Sequence, residues 1–207
     1  MDKNPVIVSF YTKNTLYEEE AQRLMASCDK LKLESHVVGI ESFGSWELNC
    51  AYKPFFLLET LKKVQKPILW VDADGEVVRK PLKKDLRGDV AAYVDEELAW
   101  THVSKVRSGT VFINATAGGE ACLRRWAEEM TAMFSNPTGE EPLIDQIALR
   151  KVLQVPKNFK VGQLPLSYVK IFDHPGDAQK VIRPFIIHHQ ASRLFKTFEE
   201  KSLSRLR

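Results

Sequence analysis

Along the first third of the chain, short apolar runs alternate with longer stretches whose apolar residues recur every third or fourth position. Residues 6–10, Val-Ile-Val-Ser-Phe behind Pro5, read as a buried strand. From Thr15 to about Leu31, the residues Ala21, Leu24, Met25, Cys28 and Leu31 recur at helical spacing. Thr15 is expected to cap this helix, with Glu18 completing a capping box. Ser35–Ile40 predicts a second strand, and residues 41–49 a mostly polar loop that carries Phe43 and Trp46. A second helix is expected to open near Tyr52-Lys53-Pro54, with Pro54 in its first turn, and to bury Phe55, Leu58, Leu61 and Val64. Ile68–Val71 is a run of strand formers that suits a strand buried on both faces. It stops at Asp72-Ala73-Asp74-Gly75.

Strand, helix, strand, helix, strand in this order predicts right-handed crossovers and a parallel sheet, hence an α/β fold. Ligands of such sheets bind outside the carboxyl ends of the strands. The turn at residues 10–12 and the pair Asp72/Asp74 both fall there. Strand alternation puts Asp72 and Asp74 on one side, where two carboxylates repel unless a cation lies between them. Oxygen ligands suit Mg²⁺ or Mn²⁺, which in turn suit a diphosphate. The plain alternative is an Asp-x-Asp-Gly turn that closes a hairpin. There is no Gly-x-Gly-x-x-Gly and no Walker loop, so dinucleotide and P-loop readings lack support.

The second half is less regular. Residues 89–94 predict a strand, residues 95–97 a solvated acidic run, and Arg107-Ser108-Gly109 a turn leading into a strand through Asn114. Ala121, Leu123, Trp126, Ala127, Met130 and Phe134 stripe a helix. Residues 142–153 predict another, with Asp145-Gln146 near its start. Residues 159–164 and 185–187 read as short strands, the last running into His188-His189. Strand alternation there lets only one of the two histidines face a metal.

With 207 residues the chain suits one domain: a nucleotide-binding half at about 5–80, a second half at about 81–195 and a tail at 196–207. A net charge of +3 is too small to argue for nucleic acid. Cys28, Cys50 and Cys122 are odd in number and lack zinc spacing, which favours a reducing, cytoplasmic setting. The first residues lack the apolar region of a signal peptide, and no apolar run is long enough to span a bilayer. The C-terminal stretch 192–207, which includes the tail, carries Arg193, Lys196, Lys201, Arg205 and Arg207 against Glu199 and Glu200, among Leu194, Phe195, Phe198, Leu203 and Leu206. Its expected role is a docked terminal helix, with contact to an anionic membrane or closure over a diphosphate as the alternatives.

The segment Leu69-Trp70-Val71-Asp72-Ala73-Asp74 resembles the Asp-x-Asp motif of GT-A-type nucleotide-diphospho-sugar glycosyltransferases. The resemblance covers roughly residues 5–195. Ser108-Gly109-Thr110-Val111-Phe112-Ile113-Asn114 is similar to the turn and strand that line the donor sugar, and Asp145-Gln146 to the Asp-Gln pair that faces it. Leu164-Pro165 is similar to the Leu-Pro segment that follows, and His188 to the metal-ligating His of glycogenin-like members. It implies a GT-A-like single domain with a Rossmann-like, mostly parallel sheet flanked by helices. The implied activity moves a hexose from a nucleotide-sugar donor, most simply a UDP-sugar, to a glycan, lipid or protein acceptor, with retention.

In that picture Asp72, Asp74 and His188 hold Mn²⁺ or Mg²⁺, and Asp145 and Gln146 face the anomeric carbon. Phe10, Tyr11, Thr12, Lys53, Asp72, Ala73, Asp74, Ser108, Gly109 and Arg193 contact the donor. For Lys53 the plain alternative is a solvent-exposed cation. The chain departs from the family after His188, where Ala191 stands near a Gly position and Arg193 or Lys196 replaces a Lys. Haloacid-dehalogenase-like phosphatases also carry Asp-x-Asp-Gly after an apolar strand, with the first Asp, here Asp72, as nucleophile. There a Thr follows the Gly and the motif lies near the N-terminus. Here Glu76 follows, a third of the way in. A protein that binds a nucleotide-sugar without turning it over is the remaining alternative.

Overall fold

A computed structural model describes residues 4–191 of the chain. Arg193, Lys196 and the rest of the tail lie outside these residues. β1 (Val6–Thr12), α1 (Leu16–Lys30) and β2 (Ser35–Ile40) open the chain. α2 (Trp46–Ala51), α3 (Lys53–Val64), β3 (Ile68–Val71) and β4 (Gly75–Val77) follow. Then come β5 (Val90–Val94), β6 (Val106–Ile113), α4 (Ala117–Ser135), α5 (Asp145–Gln154) and β7 (Val161–Gln163). A 3₁₀ turn (Leu166–Tyr168), β8 (Lys170–Ile171), α6 (Pro175–Lys180) and β9 (Ile186–His188) end the described chain.

The main sheet has the order β2-β1-β3-β6-β5-β7, and only β6 runs against the others. Alternation along its central strands feeds two cores. Val6, Val8 and Phe10 of β1, with Ile68 and Trp70 of β3, join the core that holds Leu57, Leu123, Trp126 and Leu149 of α3, α4 and α5. Ile7, Leu69 and Val71 join the opposite core, with Leu24 and Cys28 of α1 and Tyr168, Phe185 and Ile186. This is why Ile68–Val71 reads as an unbroken apolar run. Truncating a side chain such as Leu69 to alanine should cost about 2–5 kcal/mol.

Several expectations are corrected. Thr15 does cap α1, but its hydroxyl accepts from Tyr17 N, and Glu18 accepts from Asn14 N instead of closing the box on Thr15. α3 buries Phe56, Leu57, Thr60 and Leu61, with Leu58 and Val64 half-buried against the same core, so of the expected stripe only Phe55 turns outward, at 37% exposed. Lys53 and Pro54 are themselves buried at the start of α3. The loop at 41–49 contains the start of α2, capped by Ser45. Arg107-Ser108-Gly109 is strand and not turn, because β6 pairs with both β3 and β5. The helix expected from residue 142 begins at Asp145.

Of a second, small sheet of order β4-β9-β8, the sequence pattern found only β9, read at residues 185–187, and missed β4 and β8. In it Gly75 pairs with His188 and Val77 with Ile186, antiparallel. Strands of two or three residues such as these carry too few positions for a period of two to register.

Candidate functional site

Asp72 and Asp74 lie just beyond β3, at the carboxyl edge of the parallel strands. A turn, not strand alternation, brings them together: Gly75 N–H donates to Asp72 O at 2.7 Å and starts β4. A Cβ at Gly75 would stand 2.3 Å from a Val71 methyl, so a glycine is needed for this close return. β9 then delivers His188 beside Gly75. Asp72, Asp74 and His188 each present one ligand atom, and these atoms lie within 4.8 Å of one another.

Each of the three is held through its other atom. Asp72 Oδ1 accepts from Lys53 Nζ at 2.9 Å and from Trp70 Nε1 at 2.7 Å. Asp74 Oδ2 accepts from Ala191 N at 3.0 Å, and its Oδ1 is buried with no hydrogen-bond partner, 3.7 Å from His188 Nδ1. His188 Nε2 lies 3.0 Å from the buried Thr110 hydroxyl. The free atoms therefore converge. A buried carboxylate oxygen without a partner is costly, and a hard divalent cation would remove that cost with two carboxylates and one imidazole. Gly109 leaves the room: a Cβ there would lie 3.0 Å from His188 Cε1 and 3.3 Å from Asp72 Oδ2. The residues fit a cation.

The electrostatics bear on how the charges are shared. Asp72 retains 38% of its side-chain surface, open to the cleft but ringed by protein atoms. Burial raises its carboxyl, Lys53 opposes this, and the Asp74 and Asp145 charges add to the rise. Burial acts the same way on Asp74, but the His188 ring and the Ala191 N–H outweigh it and hold that carboxyl below the usual range.

Lys53 is buried, contrary to the solvent-exposed alternative. Its ammonium contacts Asp72, Asp145 Oδ2 at 2.7 Å and Ser108 O at 3.4 Å. Burial alone would lower its pKa; the two carboxylates raise it instead. Gln146 is pinned as well, accepting from Ser108 N at 3.3 Å and donating to Val103 O at 2.9 Å.

Two cavities meet at this cluster. The first, of about 260 Å³, is lined by Phe10, Tyr11, Thr12, Lys53, Asp72, Ala73, Asp74, Ser108, Asp145 and Gln146, all singled out in the sequence. Tyr17, Trp46, Asn49, Cys50, Trp70, Ile144 and Gln190 complete its walls and were not. The signal for Trp70 was available, since it precedes Asp72 by two on the strand. Trp46 and Asn49 sat in a segment read as loop. The second cavity, of about 560 Å³, includes Asp72, Gly109 and His188 together with Asp95, Glu97, His102, Ser104, Arg107, His174 and Lys180. His189 turns away from the cluster, with Nε2 3.0 Å from Glu76 Oε2.

Comparison with solved structures finds the same architecture. A glycosyltransferase involved in the glycosylation of the major capsid of PBCV-1 superposes with a TM-score of 0.64 at 12% identity, over 91% of this chain and 93% of that one. The glycosyltransferase GlyE of Streptococcus pneumoniae TIGR4 gives 0.57 at 14% identity, over 91% of this chain. The chain spans 55% of the GlyE chain's length. No protein-family model matches the sequence, and no curated protein matches it.

Proposed function

We propose, from the premise that the chain has a GT-A-like glycosyltransferase fold, that it moves a sugar from a nucleoside diphosphate donor to an acceptor with the help of a divalent cation. The supporting observation is the convergence of one ligand atom each from Asp72, Asp74 and His188, within 4.8 Å of one another, beside an aromatic-walled cleft at the carboxyl edge of the sheet. UDP-sugar is the donor read from the resemblance, and of the two expected cations Mn²⁺ accepts a mixed oxygen and nitrogen set better than Mg²⁺ does. A bound cation would supply charge neutralisation on the departing diphosphate.

The chain's own residues do the rest. Lys53 and Trp70 hold Asp72 by one oxygen, Ala191 holds Asp74, and Thr110 holds the His188 ring. Phe10, Tyr11 and Trp46 wall the cleft where base and ribose would lie, with Thr12 beside them. Ser108, Gly109, Asp145 and Gln146 stand where the sugar would lie. Asp145 is locked to Lys53, so its role there is a fixed negative charge toward a developing cationic sugar; retention is the outcome read from the resemblance. The second cavity would admit the acceptor, a hydroxyl of a glycan, lipid or protein. Three free cysteines suit a reducing, cytoplasmic setting. Among the described residues, no helix is long and apolar enough to cross a membrane.

Thermal unfolding with nucleoside diphosphates and their sugars, with and without Mn²⁺, tests the reading. A ligand at a hundred times its Kd adds about 2.7 kcal/mol to native stability. Stabilisation by UDP that needs Mn²⁺ is expected, followed by release of UDP from a UDP-sugar. Binding without release would leave a donor-binding protein. Hydrolysis of an aryl phosphate that is lost in Asp72→Asn would favour the phosphatase.

A further inference from the structure

We propose that the surface built from residues 78–84 and 182–183 docks on an anionic lipid bilayer. Just past β4, Val78, Lys80 and Leu82 are exposed at alternate positions. Across from them Ile182 is 89% exposed, the most exposed large apolar side chain among the described residues, with exposed Arg183 next to it. The two segments are fastened to one scaffold. Val78 N–H donates to Phe185 O at 2.8 Å, Arg79 Nε donates to Pro184 O at 3.0 Å, and Arg79 Nη2 donates to Arg183 O. The Arg79 guanidinium lies 4.0 Å over the Phe185 ring. Tyr168 stacks on the same ring at 4.7 Å and accepts the Leu82 N–H at 2.8 Å.

This fixed platform presents cations and aliphatic side chains together. Lys80, Lys84 and Arg183 are exposed and form no ion pair among the described residues. The nearest acid in sequence, Asp85, takes the Tyr168 O–H at 3.1 Å. Nucleic-acid surfaces add aromatic stacking platforms to their cations, whereas Val78, Leu82 and Ile182 are aliphatic. Cations that meet headgroup phosphates, with aliphatic side chains reaching the acyl boundary, are the chemistry of a bilayer interface. Gly75 and His188 pair at the opposite end of the β4–β9 ladder from Val77 and Ile186, where the platform begins. Docking there leaves the carboxylate cluster uncovered, and this inference does not depend on sugar transfer.

Co-sedimentation of the full chain with phosphatidylcholine vesicles, with and without phosphatidylglycerol, tests the proposal. Binding that requires phosphatidylglycerol and weakens with salt is expected. Each neutralised cation should weaken partitioning about fivefold, so Lys80→Gln/Lys84→Gln/Arg183→Gln should lose on the order of a hundredfold. Ile182→Ser should weaken it further, with the melting temperature unchanged for both variants. A full-length Lys201→Gln/Arg205→Gln/Arg207→Gln control separates the tail from the platform. The proposal is overturned if vesicles are not bound at low salt, if phosphatidylglycerol makes no difference, or if the platform variant partitions like the unaltered chain. Binding to a single-stranded RNA oligonucleotide in place of vesicles overturns it as well.

Discussion

Lys53 Nζ lies 2.7 Å from Asp145 Oδ2, and both side chains are buried. The contact joins the first turn of α3 to the first turn of α5 beneath the carboxylate cluster. Removing one partner of a buried pair strands the other charge. Lys53→Met should therefore cost about 3–5 kcal/mol in urea unfolding. Because the groups share one network, Lys53→Met/Asp145→Asn should cost less than the two single changes added together.

Asp74→Asn addresses the cation directly. The sequence alone suggested a strand-end position outside the core, but Asp74 is buried and accepts from Ala191 N. A small loss of stability, about 1 kcal/mol, is expected, with a much larger loss of Mn²⁺-dependent UDP affinity. Equal UDP affinity in Mn²⁺ and in chelator, measured by calorimetry on the unaltered chain, would remove the site from the reaction.

The two histidines separate by strand alternation. His188 faces Asp74 and Thr110; His189 faces Glu76 and the Phe172 ring. His188→Ala should weaken Mn²⁺ binding at least about tenfold, while His189→Ala leaves it near its starting value. Electron paramagnetic resonance of titrated Mn²⁺ distinguishes them, and the reverse order would reject the assignment.

Gly109→Ala is a steric probe of the same space. The added methyl would lie 3.0 Å from His188 Cε1 and 3.3 Å from Asp72 Oδ2. Backbone strain is not at issue, so the fold should persist by circular dichroism while Mn²⁺ affinity falls. Unchanged affinity would mean that the cation does not lie between these side chains.

Acid should loosen the second half through Asp177. Burial tends to raise its carboxyl, but the Arg107 guanidinium, at 2.5 and 3.0 Å, and the Ile171 N–H hold it below the usual range. A depressed carboxyl contributes stability that is fully present above the ordinary Asp value of about 3.9 and is lost as pH falls through the lowered one. Urea midpoints should fall across that window in the unaltered chain and fall less in Asp177→Asn. That variant should already be weaker at neutral pH, by about 3–5 kcal/mol, because Arg107 is left unpaired.

Much of the first half of the chain was legible in the sequence because its signals are local. An unbroken apolar run at Ile68–Val71 requires burial on both faces, and a Thr before a striped segment starts a helix. The order of those elements then places Asp72 and Asp74 at the ligand edge, whatever the rest of the chain does. The tertiary structure alone decided which atoms are free. That Lys53 is buried between two carboxylates depends on α3 and α5 meeting, 92 residues apart from Lys53 to Asp145. That Asp74 keeps an unpartnered oxygen depends on Ala191 taking the other one. The small sheet that carries His188 back to Gly75 pairs the legible strand β9 with β4 and β8, of three and two residues, too short for periodicity to reveal. Side-chain pattern specifies which residues are buried, but not which buried groups meet; that follows from packing between segments distant in the chain.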